Sequence, residues 1–213
     1  MKHIVKTEEE WHALRAQYIT ASNAAVLVGA DPYSSPKSLR EPSDFHGNAY
    51  TKVGQMLEPI VVNVVNVVLN LGFVLYETLG GHKEFYTNGF LGATPDAHAN
   101  RKMLLECKTT RPQTYLKYSV VPPSKYLIQL LVQLMCTELT EGYLAIMSTN
   151  LTQQSAELVW PISVFKVWTN NRITSIIKEQ AQKFKDNPEK FRVDSKIKQE
   201  IKLRLPLIYE RII

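Results

Sequence analysis

An aspartate and a Glu-x-Lys tripeptide stand close together in the middle of the chain, at Asp96, Glu106 and Lys108. The tripeptide lies in a segment with the composition of a β-strand, and side chains two apart on a strand point to the same face. Glu106 and Lys108 therefore share one face, while Leu105 and Cys107 share the other. A carboxylate beside an ammonium is costly to bury without a purpose. With Asp96 supplied by a nearby turn, these groups could form a site of hard oxygen ligands for Mg²⁺.

Such a site has the chemistry of a metal-dependent phosphodiesterase. Asp96 and Glu106 would hold one or two divalent ions, which neutralise the scissile phosphate and lower the pKa of a bound water. Lys108 would orient that water and stabilise the charge that builds on the phosphate. The backbone carbonyl of Cys107 could add a metal ligand without its thiol. The same spacing also fits a structural alternative, in which Asp96 sits in a Pro-Asp turn and Glu106 pairs with Lys108 on an edge strand.

Composition limits the classes of protein to which the chain can belong. Its 213 residues are 45% hydrophobic and 21% charged, which fits one globular domain and excludes disorder, collagen and a disulfide scaffold. Two cysteines are too few for a four-thiolate zinc or iron–sulfur site. Asparagine and glutamine interrupt the longest apolar stretches before they reach the roughly 18 residues of a membrane span. No apolar segment follows the first residues, so we expect a cytoplasmic protein that does not cross a bilayer.

The net charge of +5 is unevenly distributed along the chain. Residues 1–162 carry 13 Lys and Arg against 14 Asp and Glu, whereas residues 163–213 carry 12 against 6. All the excess positive charge thus lies in the last quarter of the chain. This asymmetry fits a surface that binds a polyanion such as nucleic acid, and it fits a solvated helical face equally well.

The pattern of apolar residues predicts an α/β (α+β) fold, with a small mixed sheet flanked by helices. A capping box at Thr7 and Glu10 begins a first helix, and a second helix is predicted from about Ser22 to Gly29. Turn residues predict a loop over 42–48 and turns at 80–81 and 88–89. The other predicted elements are helices over 54–70 and 123–137 and strands over 73–77, 84–86, 90–93, 103–108, 142–147 and 156–160. We expect a single domain over 1–213, with a motif-bearing core over about 7–160 and a largely helical, basic part over about 163–213.

Four stretches of the sequence form a set of motifs in register. They are Trp11-His-Ala-Leu-Arg-Ala-Gln-Tyr-Ile-Thr-Ala-Ser22, Gly54-Gln-Met-Leu-Glu58, Pro95-Asp96 with Glu106-x-Lys108, and Tyr126-Leu-Ile-Gln129. This set resembles the phage lambda exonuclease and YqaJ-type viral recombinase family of the PD-(D/E)xK nuclease superfamily. The resemblance covers residues 11 to about 145, and it implies the restriction-endonuclease-like core of that superfamily.

The resemblance implies a 5′→3′ exonuclease that digests one strand of linear double-stranded DNA and leaves 3′ single-stranded tails for recombination. Mg²⁺ is the implied cofactor, and Mn²⁺ is expected to substitute for it. The implied site consists of Asp96 and Glu106 as metal-binding acids, Lys108 as the catalytic lysine, Glu58 as an upstream carboxylate and Gln129 as the glutamine near the nucleophile.

Arg15, Thr20 and Ser22 match the pocket that binds the 5′-phosphate in this family. The assignment also makes independent sense, because a serine at a helix N-terminus with an arginine one short loop away is a ready anion site. Each residue also has a simpler interpretation, Ser22 as a plain N-cap and Arg15 as a member of a surface ion pair.

The family further implies partners. Related enzymes form a homotrimer that encircles DNA, and the basic C-terminal part could line such a channel. A single-strand annealing protein is the expected partner for the 3′ tail, with DNA ends as substrate and no membrane involved. Two other functions remain open: an endonuclease on the same core, which would cut closed circles, and a catalytically silent scaffold that binds DNA ends.

The chain departs from the family pattern at several positions. Ala97 stands where the family usually has glycine, so the turn must form without a positive φ there. Leu131 replaces an expected polar residue, and Gln133, one helical turn beyond Gln129, could serve instead. Glu58 is followed by proline, which is tolerable near a helix start and leaves open whether Glu58 binds metal directly.

Overall fold

The protein is built from two β-sheets and the helices packed around them. The structure is a computed structural model and describes residues 1–40, 49–76, 83–150, 152–154 and 157–213. The α-helices are α1 (Glu8–Arg15), α2 (Ala49–Leu69), α3 (Pro112–Tyr118), α4 (Ser124–Thr137), α5 (Asn171–Asp186) and α6 (Ser195–Arg204). Short 3₁₀ helices span Ala24–Val28, Pro36–Leu39 and Leu205–Leu207.

The strands divide between a larger sheet, a smaller sheet and a separate hairpin. The smaller sheet has the order β1 (Lys2–Val5), β4 (Lys83–Asn88), β5 (Leu91–Ala93) and β2 (Ile19–Thr20). The larger sheet has the order β12 (Tyr209–Arg211), β11 (Ile162–Trp168), β8 (Glu141–Ser148), β7 (Met103–Thr110), β6 (Ala97–Ala99) and β3 (Phe73–Leu75). The hairpin consists of β9 (Thr152–Gln154) and β10 (Glu157–Val159). Helices around these mixed sheets give the α+β class that the sequence predicts.

Strand β7, which carries the Glu-x-Lys tripeptide, lies in the interior of the larger sheet. It pairs in parallel with β8 on one side and antiparallel with β6 on the other. A parallel pair needs a crossover connection, and α3 and α4 supply it between β7 and β8. Glu106 and Lys108 do form an ion pair, as the structural alternative supposed, but the strand that carries them is not an edge strand.

The two faces of β7 pack against different helices. Leu104 is buried among residues of α4, whereas Leu105 and Cys107 are buried in a second cluster with Val61 and Val65 of α2. This is the predicted alternation, because successive side chains on a strand point to opposite faces. Glu106 is two residues from Leu104 on the strand, so its side chain points to the same face, towards α4.

Helix α2 is confirmed as a helix despite its valine content, but it starts at Ala49, five residues before the predicted start. Val61 and Val65 are fully buried against the sheet, while Val68, expected on the same face, is 47% exposed. Pro59 consequently lies well inside the helix, and the expectation that it stands near the helix start is wrong. By length and composition, one stretch in the described part, Thr51–Leu69, could span a membrane, and 17% of its apolar window is buried.

Three other sequence expectations need correction. The part after residue 163 begins with strand β11, not a helix, because its residues pair with β8. The predicted helix from Ser22 is a 3₁₀ helix that begins at Ala24, and its C-cap Gly29 has φ of 65°. The strands predicted between residues 73 and 108 divide between two sheets, and strands β1, β2, β6, β9 and β12 were not predicted. The loop at 42–48 and the turn at 80–81 lie outside the described residues.

A buried carboxylate joins β1 to the smaller sheet. The side chain of Glu84 is 2% exposed and accepts hydrogen bonds from Arg101 at 2.9 and 3.0 Å, from Lys2 at 2.6 Å and from the hydroxyl of Tyr86. Burial raises the pKa of Glu84, but these donors outweigh burial and bring it to about 2. The charged carboxylate thus stabilises the folded protein.

Acid is expected to destabilise the protein partly through Glu84. Its folded pKa of about 2 lies below the usual 4.5, so its stabilisation is complete above about pH 4.5 and is lost as the pH falls towards 2. The contribution at neutral pH is on the order of 3 kcal/mol. Urea unfolding of wild type and Glu84→Gln at pH 7 and pH 3 checks this. Wild type should lose more stability on acidification than the variant, and equal losses would refute the assignment.

Candidate active site

The carboxylate of Glu106 lies at the centre of the site and is completely buried. One oxygen accepts hydrogen bonds from Lys108 Nζ and from Gln129 Nε2, both at 2.5 Å. The other accepts from Gln133 Nε2 at 2.5 Å. Gln129 and Gln133 come from one face of α4, so the strand and the facing helix meet at this carboxylate. Both glutamines that the sequence left as alternatives contact Glu106.

Asp96 lies beside Glu106, just before β6. Its Oδ2 accepts a hydrogen bond of 2.8 Å from the backbone N–H of Cys107. Because the N–H and C=O of a strand residue project to the same side, the carbonyl of Cys107 faces the side on which Asp96 lies. Ala97 begins strand β6 and has no positive φ, so the turn forms without glycine, as the sequence required.

Asp96 interacts electrostatically with two other carboxylates, those of Glu106 and Glu58, and with the ammonium of Lys108. Burial and the charge of Glu106 raise the pKa of Asp96, Glu58 on α2 raises it further, and Lys108 offsets the rise only in part. Burial alone would lower the pKa of Lys108, but Glu106 and Asp96 outweigh burial and raise it. Lys108 therefore stays protonated.

The donor chemistry of the site fits a divalent cation. The carboxylates of Asp96 and Glu106 and the carbonyl of Cys107 are the hard oxygen ligands that Mg²⁺ prefers. Burial, followed by the charges of Asp96 and Glu106, raises the pKa of the Cys107 thiol, so the neutral thiol is a poor ligand. Within the described ranges, His, Cys, Asp and Glu side chains form no ready three-ligand metal group. A cation here would thus depend on the carbonyl together with two carboxylates.

A small polar cavity adjoins the carboxylates. Its volume is about 40 Å³, enough for a small anionic group but not for a nucleobase. Its lining includes the three residues expected to bind a phosphate, Arg15, Thr20 and Ser22, together with both glutamines that contact Glu106. The buried Oε1 of Gln133 has no hydrogen-bond partner. The cavity and the carboxylate centre therefore share Gln129 and Gln133 as a common wall.

Arg15 stands in this cavity as a partly desolvated cation. Its guanidinium carbon lies 4.3 Å from the ring centroid of Trp11, and burial lowers its pKa. Trp11 in turn donates a hydrogen bond of 3.0 Å to the Thr94 hydroxyl, another residue of the cavity wall. No such role was predicted for Trp11 from the sequence, although its position one helical turn before Arg15 could have indicated it.

Ser22 reaches the cavity by a different route from the one expected. It does not cap a long helix, because the following 3₁₀ helix spans five residues and its N-cap is Asn23. Instead, its hydroxyl lies 3.0 Å from that of Thr20, so the two hydroxyls form a pair. Leu131, noted as a departure from the family, is fully buried in the core rather than in the site.

Comparison with known proteins gives this arrangement a family. Residues 10–140, more than half of the chain, match the YqaJ-like viral recombinase domain. The chain belongs to the YqaJ-like viral recombinase family. The matched range contains all the expected site residues, from Arg15 to Gln129, and the recognition made from the motifs is confirmed. Among curated proteins, none matches the sequence.

Solved structures share the fold of this YqaJ-like protein. An alkaline exonuclease from Laribacter hongkongensis, LHK-Exo, matches with a TM-score of 0.64 and 18% identity, over 93% of this chain and 99% of that one. LHK-Exo in complex with dAMP matches with a TM-score of 0.59 and 19% identity, over 93% of this chain and 99% of that one. A phage-related exonuclease from Haemophilus somnus 129PT matches with a TM-score of 0.55 and 15% identity, over 91% of this chain and 99% of that one. Family and fold together support the expectation that the chain is a nuclease.

Proposed function

We propose that this YqaJ-like protein is a Mg²⁺-dependent exonuclease that digests one strand of linear duplex DNA from its 5′ end and leaves a 3′ tail. The observation that carries the proposal is the wall that the carboxylate centre shares with the polar cavity. Gln129 and Gln133 contact the buried carboxylate of Glu106 and also line the cavity that contains Arg15. A terminal phosphate bound in the cavity would therefore lie next to the hydrolytic groups, which suits an enzyme that works from DNA ends.

Each side chain of the carboxylate centre has a role in this proposal. Asp96, Glu106 and the carbonyl of Cys107 would hold one or two Mg²⁺ ions, and Mn²⁺ would substitute. The metal would neutralise phosphate charge and lower the pKa of a bound water. Lys108, which stays protonated, would donate to that water or to the phosphate oxygen. Glu58, whose charge acts on Asp96, would adjust the site from α2.

The cavity residues would select the end of the DNA. Arg15 packs against Trp11 rather than against a described carboxylate, so its charge is available for an anion. A guanidinium binds phosphate with charge-assisted hydrogen bonds, which strengthen where water is excluded. The paired hydroxyls of Thr20 and Ser22 would complete the set of donors around a 5′-phosphate.

The expected partners stay part of the proposal. We propose a homotrimeric ring around DNA, a single-strand annealing protein as partner, and a cytoplasmic location with no membrane contact. We also keep the single-domain assignment over 1–213. Residues of the basic C-terminal part would line the DNA channel, although Glu200 already pairs with Arg172 and Arg204. Contacts dominated by phosphate would make binding strongly dependent on salt.

Digestion of linear and covalently closed circular duplex tests the class of enzyme. With Mg²⁺, the linear DNA should disappear while the circle stays intact, and EDTA should stop the reaction. Cutting of the circle would support an endonuclease instead. Binding to ends without any Mg²⁺- or Mn²⁺-dependent cleavage would support a silent scaffold.

Mg²⁺ is expected to raise the melting temperature of the wild type, and Asp96→Asn should remove most of this effect. At 100 times its dissociation constant, a ligand stabilises the folded state by about 2.7 kcal/mol. Because the raised pKa of Asp96 means that its ionised form is costly, the variant in EDTA at pH 7 should be at least as stable as wild type.

Thermal unfolding in EDTA and in Mg²⁺ measures both effects without using activity. Asp186→Asn is the matched control, since Asp186 is an exposed carboxylate at the end of α5 that contacts Gln182. The control should respond to Mg²⁺ like the wild type. An unchanged Mg²⁺ response in Asp96→Asn would contradict the proposed metal site.

A further inference from the structure

A row of alternating lysines and tyrosines leads from the carboxylate centre to solvent. Lys108 Nζ lies 5.3 Å from the ring centroid of Tyr126, in the first turn of α4. Lys125 Nζ lies 5.5 Å from the same ring and 5.6 Å from the ring of Tyr33. Each distance is within the range of a cation–π contact. The row therefore connects the lysine of the proposed hydrolytic centre to Tyr33 at the surface.

Tyr33 presents its ring to solvent from a defined turn. The residue is 83% exposed. Its backbone N–H donates a hydrogen bond of 3.0 Å to Oδ1 of Asp31, and the intervening Pro32 restricts the turn further. Such a ring gives up little conformational freedom when a second flat group stacks on it, and its removal takes little from the core.

Lys125 occupies a position that helix stability does not explain. It is the second residue of α4, where the helix dipole is positive and disfavours another cation, and the first turn of α4 contains no acidic residue. Its ammonium packs between the rings of Tyr33 and Tyr126, and no carboxylate in the described part of the chain forms an ion pair with it. A partly buried cation in this place is suited to contact an anion that approaches along the row.

We propose that Tyr33 and Lys125 form a subsite for the DNA strand next to the scissile phosphate, with the Tyr33 ring stacked on an unpaired base and Lys125 on a backbone phosphate. The proposal rests on the proposed nuclease function, and it adds a contact outside the carboxylates and the phosphate cavity. Aromatic rings interleaved with cations are the combination that binds single-stranded nucleic acid without sequence preference. The position of the row fits this substrate because its inner end is Lys108.

Binding of DNA in EDTA tests the subsite separately from catalysis. The probe is a fluorescein-labelled duplex with a 5′-phosphate and two mismatched terminal base pairs, and anisotropy gives its dissociation constant. Tyr33→Leu should weaken binding roughly tenfold, because one base–aromatic stack is lost, whereas Tyr33→Trp should bind like wild type. Because Tyr33 is exposed, its replacement should not disturb folding, so a loss of DNA affinity would not come from misfolding. Circular dichroism checks this.

The lysine is tested through the salt dependence of the same binding. Lys125→Ala should lower the slope of log K against log salt by about one. Lys102→Ala is the control, because Lys102 is an exposed lysine in the turn between β6 and β7 and belongs to none of the proposed DNA-binding surfaces. Its slope should fall less than that of Lys125→Ala.

Three results would overturn the subsite. They are equal affinity of Tyr33→Leu and wild type, equal slopes of Lys125→Ala and Lys102→Ala, and wild type that does not bind the probe. None of these is the same as failure of the nuclease proposal, which would appear as absence of cleavage by wild type in Mg²⁺. If wild type cleaves DNA but Tyr33→Leu has no effect on binding, the nuclease proposal stands and only the subsite is refuted.

Discussion

Glu106→Gln is expected to reduce DNA cleavage on the order of 10³-fold or more while the protein remains folded. The substitution keeps the shape of the side chain and removes the charge that Lys108, Gln129 and Gln133 all contact. Lys108 then loses its partner, and an expected metal ligand becomes a neutral amide. Both changes act on the reacting phosphate, so the rate of the chemical step should fall further than DNA affinity.

Glu84→Gln is the matched control for this variant. Glu84 is also a buried, ion-paired glutamate on a strand, but it belongs to the smaller sheet and pairs with Lys2 and Arg101. Its loss should lower stability and leave cleavage per folded molecule unchanged. Single-turnover digestion in Mg²⁺, together with urea unfolding, separates the two effects. Retention of more than about a tenth of the wild-type rate in Glu106→Gln would refute the assigned centre.

Arg15→Ala is expected to slow digestion of 5′-phosphorylated ends roughly 10–100-fold, down to the rate of 5′-hydroxyl ends. The size follows from the loss of charge-assisted hydrogen bonds to phosphate in a partly desolvated cavity. Digestion of hydroxyl ends should change little, because the carboxylate centre is intact. Arg15→Lys should recover only part of the preference, since an ammonium cannot reproduce the planar fork of donors or its contact with Trp11.

The control for this prediction is Arg172→Ala. Arg172 is an arginine of α5 whose guanidinium is held by Glu200 at 2.7 Å. Its removal should leave the ratio of rates on phosphorylated and hydroxyl ends at the wild-type value. If wild type digested both ends equally, or if Arg15→Ala kept the preference, the cavity would not be the phosphate site.

The local parts of the site were predictable from sequence because they depend on strand and helix periodicity. Glu106 and Lys108 share a face of β7, and Gln129 and Gln133 share a face of α4, as their spacings of two and four require. The sequence could not show that these two faces meet at one carboxylate. That contact depends on the crossover from β7 to β8, which fixes α4 over the strand.

Pairing between distant segments accounts for most of the errors in the fold. Strand β1 pairs with β4, about 80 residues away, and neither the strand nor the buried Glu84 that it helps to cover was expected. The segment after residue 163 has alternating apolar residues, but it was predicted to be largely helical. Its neighbour β8, which supplies hydrogen bonds along all of β11, decided for strand.

For the proposed phosphate cavity, the sequence grouped the residues but did not predict the local structure that brings them together. The motif grouped Arg15, Thr20 and Ser22, and the structure places all three on the wall of one cavity. The proposed reason, a serine at the N-terminus of a helix, was wrong because the helix there is a short 3₁₀ turn. The actual arrangement depends on Trp11 and Thr94, which are 83 residues apart and hydrogen-bonded.

We propose that a terminal 5′-phosphate enters the Arg15 cavity while the strand is hydrolysed at the adjoining carboxylates. The most direct test is Mg²⁺-dependent digestion of a linear duplex labelled at one 5′ end or at one 3′ end, each with a 5′-phosphate or a 5′-hydroxyl. We expect early release of the 5′ label as mononucleotide, faster from phosphorylated ends, with the 3′ label retained in long products. Early release of the 3′ label would contradict the proposed direction of digestion, and equal rates from both kinds of 5′ end would contradict the proposed phosphate cavity.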